Sequence, residues 1–198
     1  MRRLIVFNHI SSDGYFTDGN GQFNWASHLS NDPEYAAFVA ENASGEGHLI
    51  FGRITYQLMA SFWPTPTAAQ QMPEVARGMN RMRKTVFSRT LQDVSWNNTE
   101  LIRPANDDLA AAVRELKEQD GPGMAIMGSG SLVAQLAPTG LIDEYQLVLN
   151  PLALGSGRSL FEKIPRLLSL KLASSRIFNN GKVYLNYVPA RSNPQSSP

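Results

Sequence analysis

Cysteine is absent from this chain. That excludes disulfides, zinc–thiolate sites and thiol nucleophiles, and it leads to the expectation of a reducing, cytoplasmic setting. An excess of either charge is also missing: 18 basic residues face 17 acidic ones. Nothing in that balance favours nucleic acid or an anionic membrane surface. Long apolar runs are lacking too. The N-terminal run is only Leu4–Phe7, whereas a secretory signal needs roughly 7–15 apolar residues and a membrane span about 20. The three histidines, His9, His28 and His48, have no metal-site spacing. His28 and His48 read as solvated. The basic cluster Arg77, Arg81, Arg83 and Lys84 reads as a solvated helix face, with too few interleaved aromatics for nucleic acid.

What remains is an ordinary apolar content of 42% in 198 residues, enough for one real core. Four short apolar runs recur: Leu4–Phe7, Leu49–Phe51, Thr85–Phe87 and Ala125–Met127. They are too short for helices and lack strict alternation, the pattern of strands covered on both faces. Helical patterns lie between them over 33–43, 53–62, roughly 71–83, and after Asn106. In the last, Leu109, Ala112, Val113 and Leu116 share one face, with Asn106 or Asp107 as N-cap. Gly78 weakens the pattern of the helix over 71–83. Trp63-Pro64-Thr65-Pro66 reads as a surface loop. From about residue 142 the pattern turns to strands, and Asn179-Asn180-Gly181 is a hairpin signal. These elements predict one α/β domain over 1–189: a mixed, mostly parallel sheet flanked by helices and closed by a C-terminal antiparallel hairpin. The Pro/Ser-rich stretch 190–198 reads as a flexible tail.

Three turns carry chemistry. Gly128-Ser129-Gly130-Ser131 leaves an apolar strand and enters a helix, so several unpaired N–H groups point at one spot. It reads either as a plain structural turn or as a phosphate cradle. Gly52-Arg53-Ile54-Thr55 adds a guanidinium and a hydroxyl, and Ser88-Arg89-Thr90 repeats the arrangement. Ligands of open α/β sheets bind beyond the carboxyl ends of parallel strands. Three such turns at one end suit a dinucleotide, and two arginines favour one with a 2′-phosphate, hence NADPH.

In their order and spacing, HLIFGRITYQLM, KTVFSRT and AIMGSGSLVAQL resemble the dihydrofolate reductase fold. The stretches ISSDGYFTDGNGQFNW and GLIDEYQLVLNPLALGSGRSLF resemble more closely the branch containing the RibD C-terminal (riboflavin biosynthesis reductase) domain. The resemblance covers about residues 3–188. It implies a reductase that transfers hydride from NADPH to a C=O or C=N of a small heterocycle, pterin- or pyrimidine-like. By position it implies that Gly52, Arg53 and Thr55 meet the phosphates and that Ser88 and Arg89 hold the 2′-phosphate. Gly128, Ser129, Gly130, Ser131 and Leu132 would cover the pyrophosphate and ribose. Dihydrofolate reductases often carry Arg at position 131, so Ser131 shifts the 2′-phosphate duty to Arg53 and Arg89. Backbone near Ser11–Phe16 would border the nicotinamide, with Phe16 and Trp25 against the substrate and His9 and Asp13 as catalytic candidates. The folate-anchoring acid of dihydrofolate reductases falls at Ala36 here, which argues against dihydrofolate as substrate. A proton could come from Asp13, Asp32, Glu34, His9 or water. The resemblance also implies a homodimer. A non-catalytic nucleotide-binding module on the same fold is the alternative.

Overall fold

The computed structural model describes residues 1–27 and 31–190; His28 and the segment 191–198 lie outside the described residues. Ten strands form two sheets. They are β1 (Leu4–Ser11), β2 (Tyr15–Asp18), β3 (His48–Gly52), β4 (Arg83–Phe87), β5 (Thr99–Ile102), β6 (Met124–Met127), β7 (Glu144–Asn150), β8 (Gly157–Ser159), β9 (Leu170–Ile177) and β10 (Val183–Pro189). The large sheet has the order β5-β4-β3-β6-β1-β7-β10-β9, and β2 pairs with β8 in a small antiparallel one. From β5 to β7 the pairs are parallel; β10 then runs antiparallel to β7 and to β9. This is the predicted mixed sheet with its antiparallel close.

Alternate residues of each central strand feed opposite faces, as the two-residue period of a strand requires. Leu4, Val6, Ile50, Met124 and Ile126 pack with α5 (Leu109–Glu118) and α6 (Gly130–Leu136) on one face. Leu49, Phe51 and Val86 join residues of α1 (Pro33–Ser44), α2 (Arg53–Phe62) and α4 (Pro73–Arg81) on the other. Burial on both faces explains why these strands show no polar alternation. Among the described residues no helix is long and apolar enough to cross a membrane.

Several local expectations change. Pro66 is not in a loop but opens a short helix, α3 (Pro66–Gln71), with Thr65 as its cap. The cap of α5 is Asp108, whose Oδ1 accepts from the Ala111 amide, rather than Asn106 or Asp107. His48 is fully buried, with Nδ1 2.8 Å from Arg2 Nη2 and Nε2 2.8 Å from Thr85 Oγ1. Lys84 is not on a solvated face either. It is buried, donates to the carbonyls of Met82, Asn97 and Asn80, and lies over the Trp96 ring.

Gly78 is the reason α4 can pack where it does. A Cβ at this position would fall 1.9 Å from the Ala43 carbonyl oxygen of α1. The residue that weakened the helix pattern is therefore a close-approach site between two helices. Gly78→Ala should lower the unfolding free energy in urea by about 1–3 kcal/mol, the usual cost of overpacking. An unconstrained helical Gly→Ala change would instead gain up to about 1 kcal/mol.

Candidate functional site

The three sequence-predicted turns follow β3, β4 and β6, which stand next to one another in the sheet. All three therefore emerge at the same end. Two of them are locked together. The Ser129 hydroxyl accepts from the Gly52 amide at 2.7 Å and donates to Thr55 Oγ1 at 3.1 Å. The Ser129 amide also donates to Thr55 Oγ1, at 3.1 Å. Two donors fill the lone pairs of Thr55 Oγ1, so its own hydrogen is left for an outside acceptor. Gly128 and Ser129 are both left-handed, at φ 61° and 60°. That conformation is ordinary for glycine and costly for serine. It turns the Gly128 amide onto Asn8 Oδ1, 3.0 Å away. None of the described residues accepts from the amides of Gly130 or Ser131, which open α6. Unpaired amides at a helix start are the kind of donor that can take an anion.

The remaining cofactor candidates divide. Arg53 is exposed, with Gln57 as a distant partner at 3.4 Å. The Ser88 hydroxyl accepts from the amides of Thr90 and Leu91 and so shapes its own loop. Arg89 is paired with Asp107 at 2.9 Å. Leu132 is a core residue, and its amide is already bonded to the Ser129 carbonyl. Phe16 is also in the core, and its ring lies 3.1 Å from where a Gly130 Cβ would be. Sequence placed Phe16 against a substrate; the structure uses its ring to seat the start of α6.

On the α1 face, aromatic rings run edge to face: Trp25 on Phe23 at 5.7 Å, Phe23 on His9 at 5.9 Å, and His9 on Tyr35 at 6.3 Å. His9 Nε2 lies 3.2 Å from the Tyr35 hydroxyl. Burial first, then the nearby Lys182 charge, pushes the His9 pKa down to about 3. His9 is thus a neutral imidazole at physiological pH and no imidazolium acid. Lys182, which sequence reasoning missed, is fully buried beneath this row. It donates to the Ala26 carbonyl at 2.9 Å and to Asn150 Oδ1 at 2.7 Å, and stands 4.9 Å from the centre of the Tyr35 ring. Burial lowers its pKa to about 8. No local sequence signal marks it, because its partners come from residues 26, 35 and 150. The indole nitrogen of Trp25 is buried, with no hydrogen-bond partner among the described residues.

Each carboxylate considered as a proton source is already engaged. Asp13 accepts from the Ser11 hydroxyl at 2.6 Å and from the Leu154 and Gly155 amides, bonds that hold its pKa low. It fastens the β1–β2 turn to the loop over 151–157. Asp32 is buried, which raises its pKa, but the amides of Tyr35, Asn180, Glu34 and Asn179 outweigh that and lower it. Glu34 pairs with Arg176 at 2.8 Å. Ala36 is exposed and carries no acid. Two open surface hollows lie outside these turns: one of about 520 Å³ lined by Arg81, Arg83, Asn98, Thr99 and Glu100, and one of about 420 Å³ between Phe161 and Leu170.

The mixed, mostly parallel sheet with its antiparallel close is a dihydrofolate reductase-like fold. The comparisons narrow this. The family model of the RibD C-terminal domain matches residues 2–184, and the chain belongs to that family. The uncharacterized Bacillus subtilis protein YyaP is 27% identical over 186 residues, 94% of each chain. The structure of a pyrimidine reductase-like protein from Corynebacterium diphtheriae is similar with a TM-score of 0.66 at 15% identity, covering 96% of this chain and 92% of that one. Dihydrofolate reductase from Enterococcus faecalis, solved in complex with NADP(H), gives 0.59 at 14% identity over 94% and 96%. At these identities the structural likenesses show the fold.

Ser129→Ala should leave the buried Gly52 amide without its acceptor and cost about 1–3 kcal/mol in urea unfolding. Ser129→Gly should recover roughly 1 kcal/mol of that, because glycine adopts the left-handed conformation without strain.

Proposed function

We propose that this protein is an NADPH-dependent reductase acting on a C=O or C=N of a small pterin- or pyrimidine-like heterocycle. The observation that carries the reading is the joined pair of turns after β3 and β6. Together they present the amides of Gly130 and Ser131 and the Thr55 hydroxyl at one end of the sheet. These donors fit a pyrophosphate, and exposed Arg53 and Arg89 fit the further phosphate that distinguishes NADPH. When bound, NADPH supplies the hydride.

The chain's own residues would bind, orient and exclude water. Ser129 holds both turns in register, and Phe16 fixes the start of α6. Asp13 holds the β1–β2 turn against the 151–157 loop, which would border the nicotinamide. Trp25 and Phe23 would cover a flat ring. His9 stays neutral and bonded to Tyr35, so this pair, together with water, is the proton-bearing group we assign to the site.

One observation favours the second reading, a non-catalytic NADP(H)-binding module. Asp13, Asp32 and Glu34 are all committed to other partners, so no carboxyl group among them is left to protonate a substrate. Fluorescence titration with NADPH and NADH, on wild type and Arg53→Ala, tests the shared part of the two readings. Wild type should bind NADPH below millimolar concentration and more tightly than NADH. Arg53→Ala should weaken NADPH by about tenfold, the loss of one charge-assisted contact. Failure of both dinucleotides to bind would remove the cofactor assignment. Loss of NADPH absorbance with a pterin or pyrimidine panel separates reductase from module.

We also propose a homodimer. Strand β9 is a sheet edge, and it exposes Leu172 and Ile177, the latter 74% accessible. An open edge of this kind invites pairing with a second copy. Sedimentation should show a dimer at micromolar concentration, and Ile177→Lys should shift it toward monomer. A monomeric wild type would refute the assignment.

A further inference from the structure

The Arg89–Asp107 pair has a consequence for cofactor choice. It rests on the dinucleotide reading above. Arg89 follows the carboxyl end of β4, and Asp107 ends the short 3-10 turn Ala105–Asp107 between β5 and α5. The two strand ends are stitched together. The Ser88 amide donates to the Ile102 carbonyl, and Arg103 donates to the carbonyls of Leu91 and Gln92. Residues 88–92 and 103–107 therefore make one rim. A dinucleotide with its pyrophosphate at Gly130 and its length along β3 and β4 would bring its adenosine end to this rim.

Asp107 is held there at some cost. Asn106 and Asp107 are consecutive non-glycine residues in the left-handed region, at φ 52° and 59°. Asn and Asp tolerate that region better than most residues, but each still loses stability there. Capping of α5 does not require Asp107, because Asp108 already accepts from the Ala111 amide. Among the described residues the Asp107 carboxylate bonds only Arg89, at 2.9 Å, and both side chains are mostly exposed. The strained turn thus aims one carboxylate at one arginine.

In dinucleotide-binding sheets of another strand order a carboxylate accepts from the ribose 2′-hydroxyl, whereas an arginine takes a 2′-phosphate. We propose that Asp107 is a specificity-determining residue that competes with the 2′-phosphate for Arg89, holding NADPH affinity down and admitting NADH. A phosphate must displace the carboxylate from the guanidinium and then tolerate its negative charge nearby. The 2′-hydroxyl of NADH meets no such opposition.

The test measures dissociation constants of NADPH and NADH for wild type, Asp107→Asn, Asp107→Gly, Arg89→Ala and the Arg89→Ala/Asp107→Asn double variant. Asp107→Gly keeps the left-handed turn free of strain, so agreement between the two single variants separates charge from folding. An exposed ion pair sets the scale of the effect. Both Asp107 variants should tighten NADPH by about two- to fivefold and leave NADH unchanged or weaker. The gain should shrink at high salt and vanish in the Arg89→Ala background. Equal changes for NADPH and NADH would overturn the inference, as would weaker NADPH binding by both Asp107 variants. Failure of wild type to bind either dinucleotide would instead overturn the dinucleotide reading itself.

Discussion

The Ser129 hydroxyl is the joint on which the site depends. It takes the amide of Gly52 and gives its own hydrogen to Thr55. One side chain therefore couples the turn after β3 to the turn after β6, although the two are 77 residues apart in sequence. The left-handed backbone of Ser129 is acceptable because its amide and its hydroxyl are both satisfied by that conformation. Strain of this kind persists where surrounding bonds over-determine it. With the joint made, the openings of α2 and α6 face a common region. Their amides and the Thr55 hydrogen are then fixed before any ligand arrives.

Charge is distributed to match. The carboxylates nearest the aromatic row are spent on backbone amides or on Arg176, and they act as struts. Beneath the row, Lys182 is a buried ammonium whose bonds among the described residues go to a backbone carbonyl and an amide oxygen. Burying a cation with neutral partners is unfavourable, and the depressed pKa expresses that cost. The same cation helps keep His9 neutral.

The sequence disclosed the parts of this arrangement that are local. A strand followed at once by glycine or serine is a local signal, and the turns after β3, β4 and β6 were read from it. So were the parallel core strands, from their unbroken apolarity, and the Asn179–Gly181 hairpin. What escaped was set by distant partners. Asp13 looks like a turn residue or an acid until the amides of Leu154 and Gly155 are seen to bind it. Phe16 looks like a pocket aromatic until Gly130 proves to need its ring. Lys182 has no signature because its neighbours arise from three separate elements. Strands β2 and β5 have four residues each and β8 three, so their periodicity is too brief to register. Glycine at 78 lowers helix propensity, but tertiary packing against α1 overrides that.

Asp32 gives the fold an order of completion. Its carboxylate accepts from amides at the start of α1 and from Asn180 in the last hairpin. That hairpin also brings Phe178 to within 5.1 Å of the Tyr35 ring, Tyr184 to within 5.0 Å of Phe38, and Lys182 beneath Tyr35. The turns after β3, β4 and β6 are made of residues synthesised by Leu136. The aromatic wall has to wait for residues 178–184. During synthesis, which proceeds from the N-terminus, the turns proposed to take phosphate have all their residues well before the wall proposed to face a ring. Until the hairpin docks, Tyr35 and Phe38 of α1 lack the rings of Phe178 and Tyr184 that cover them in the fold.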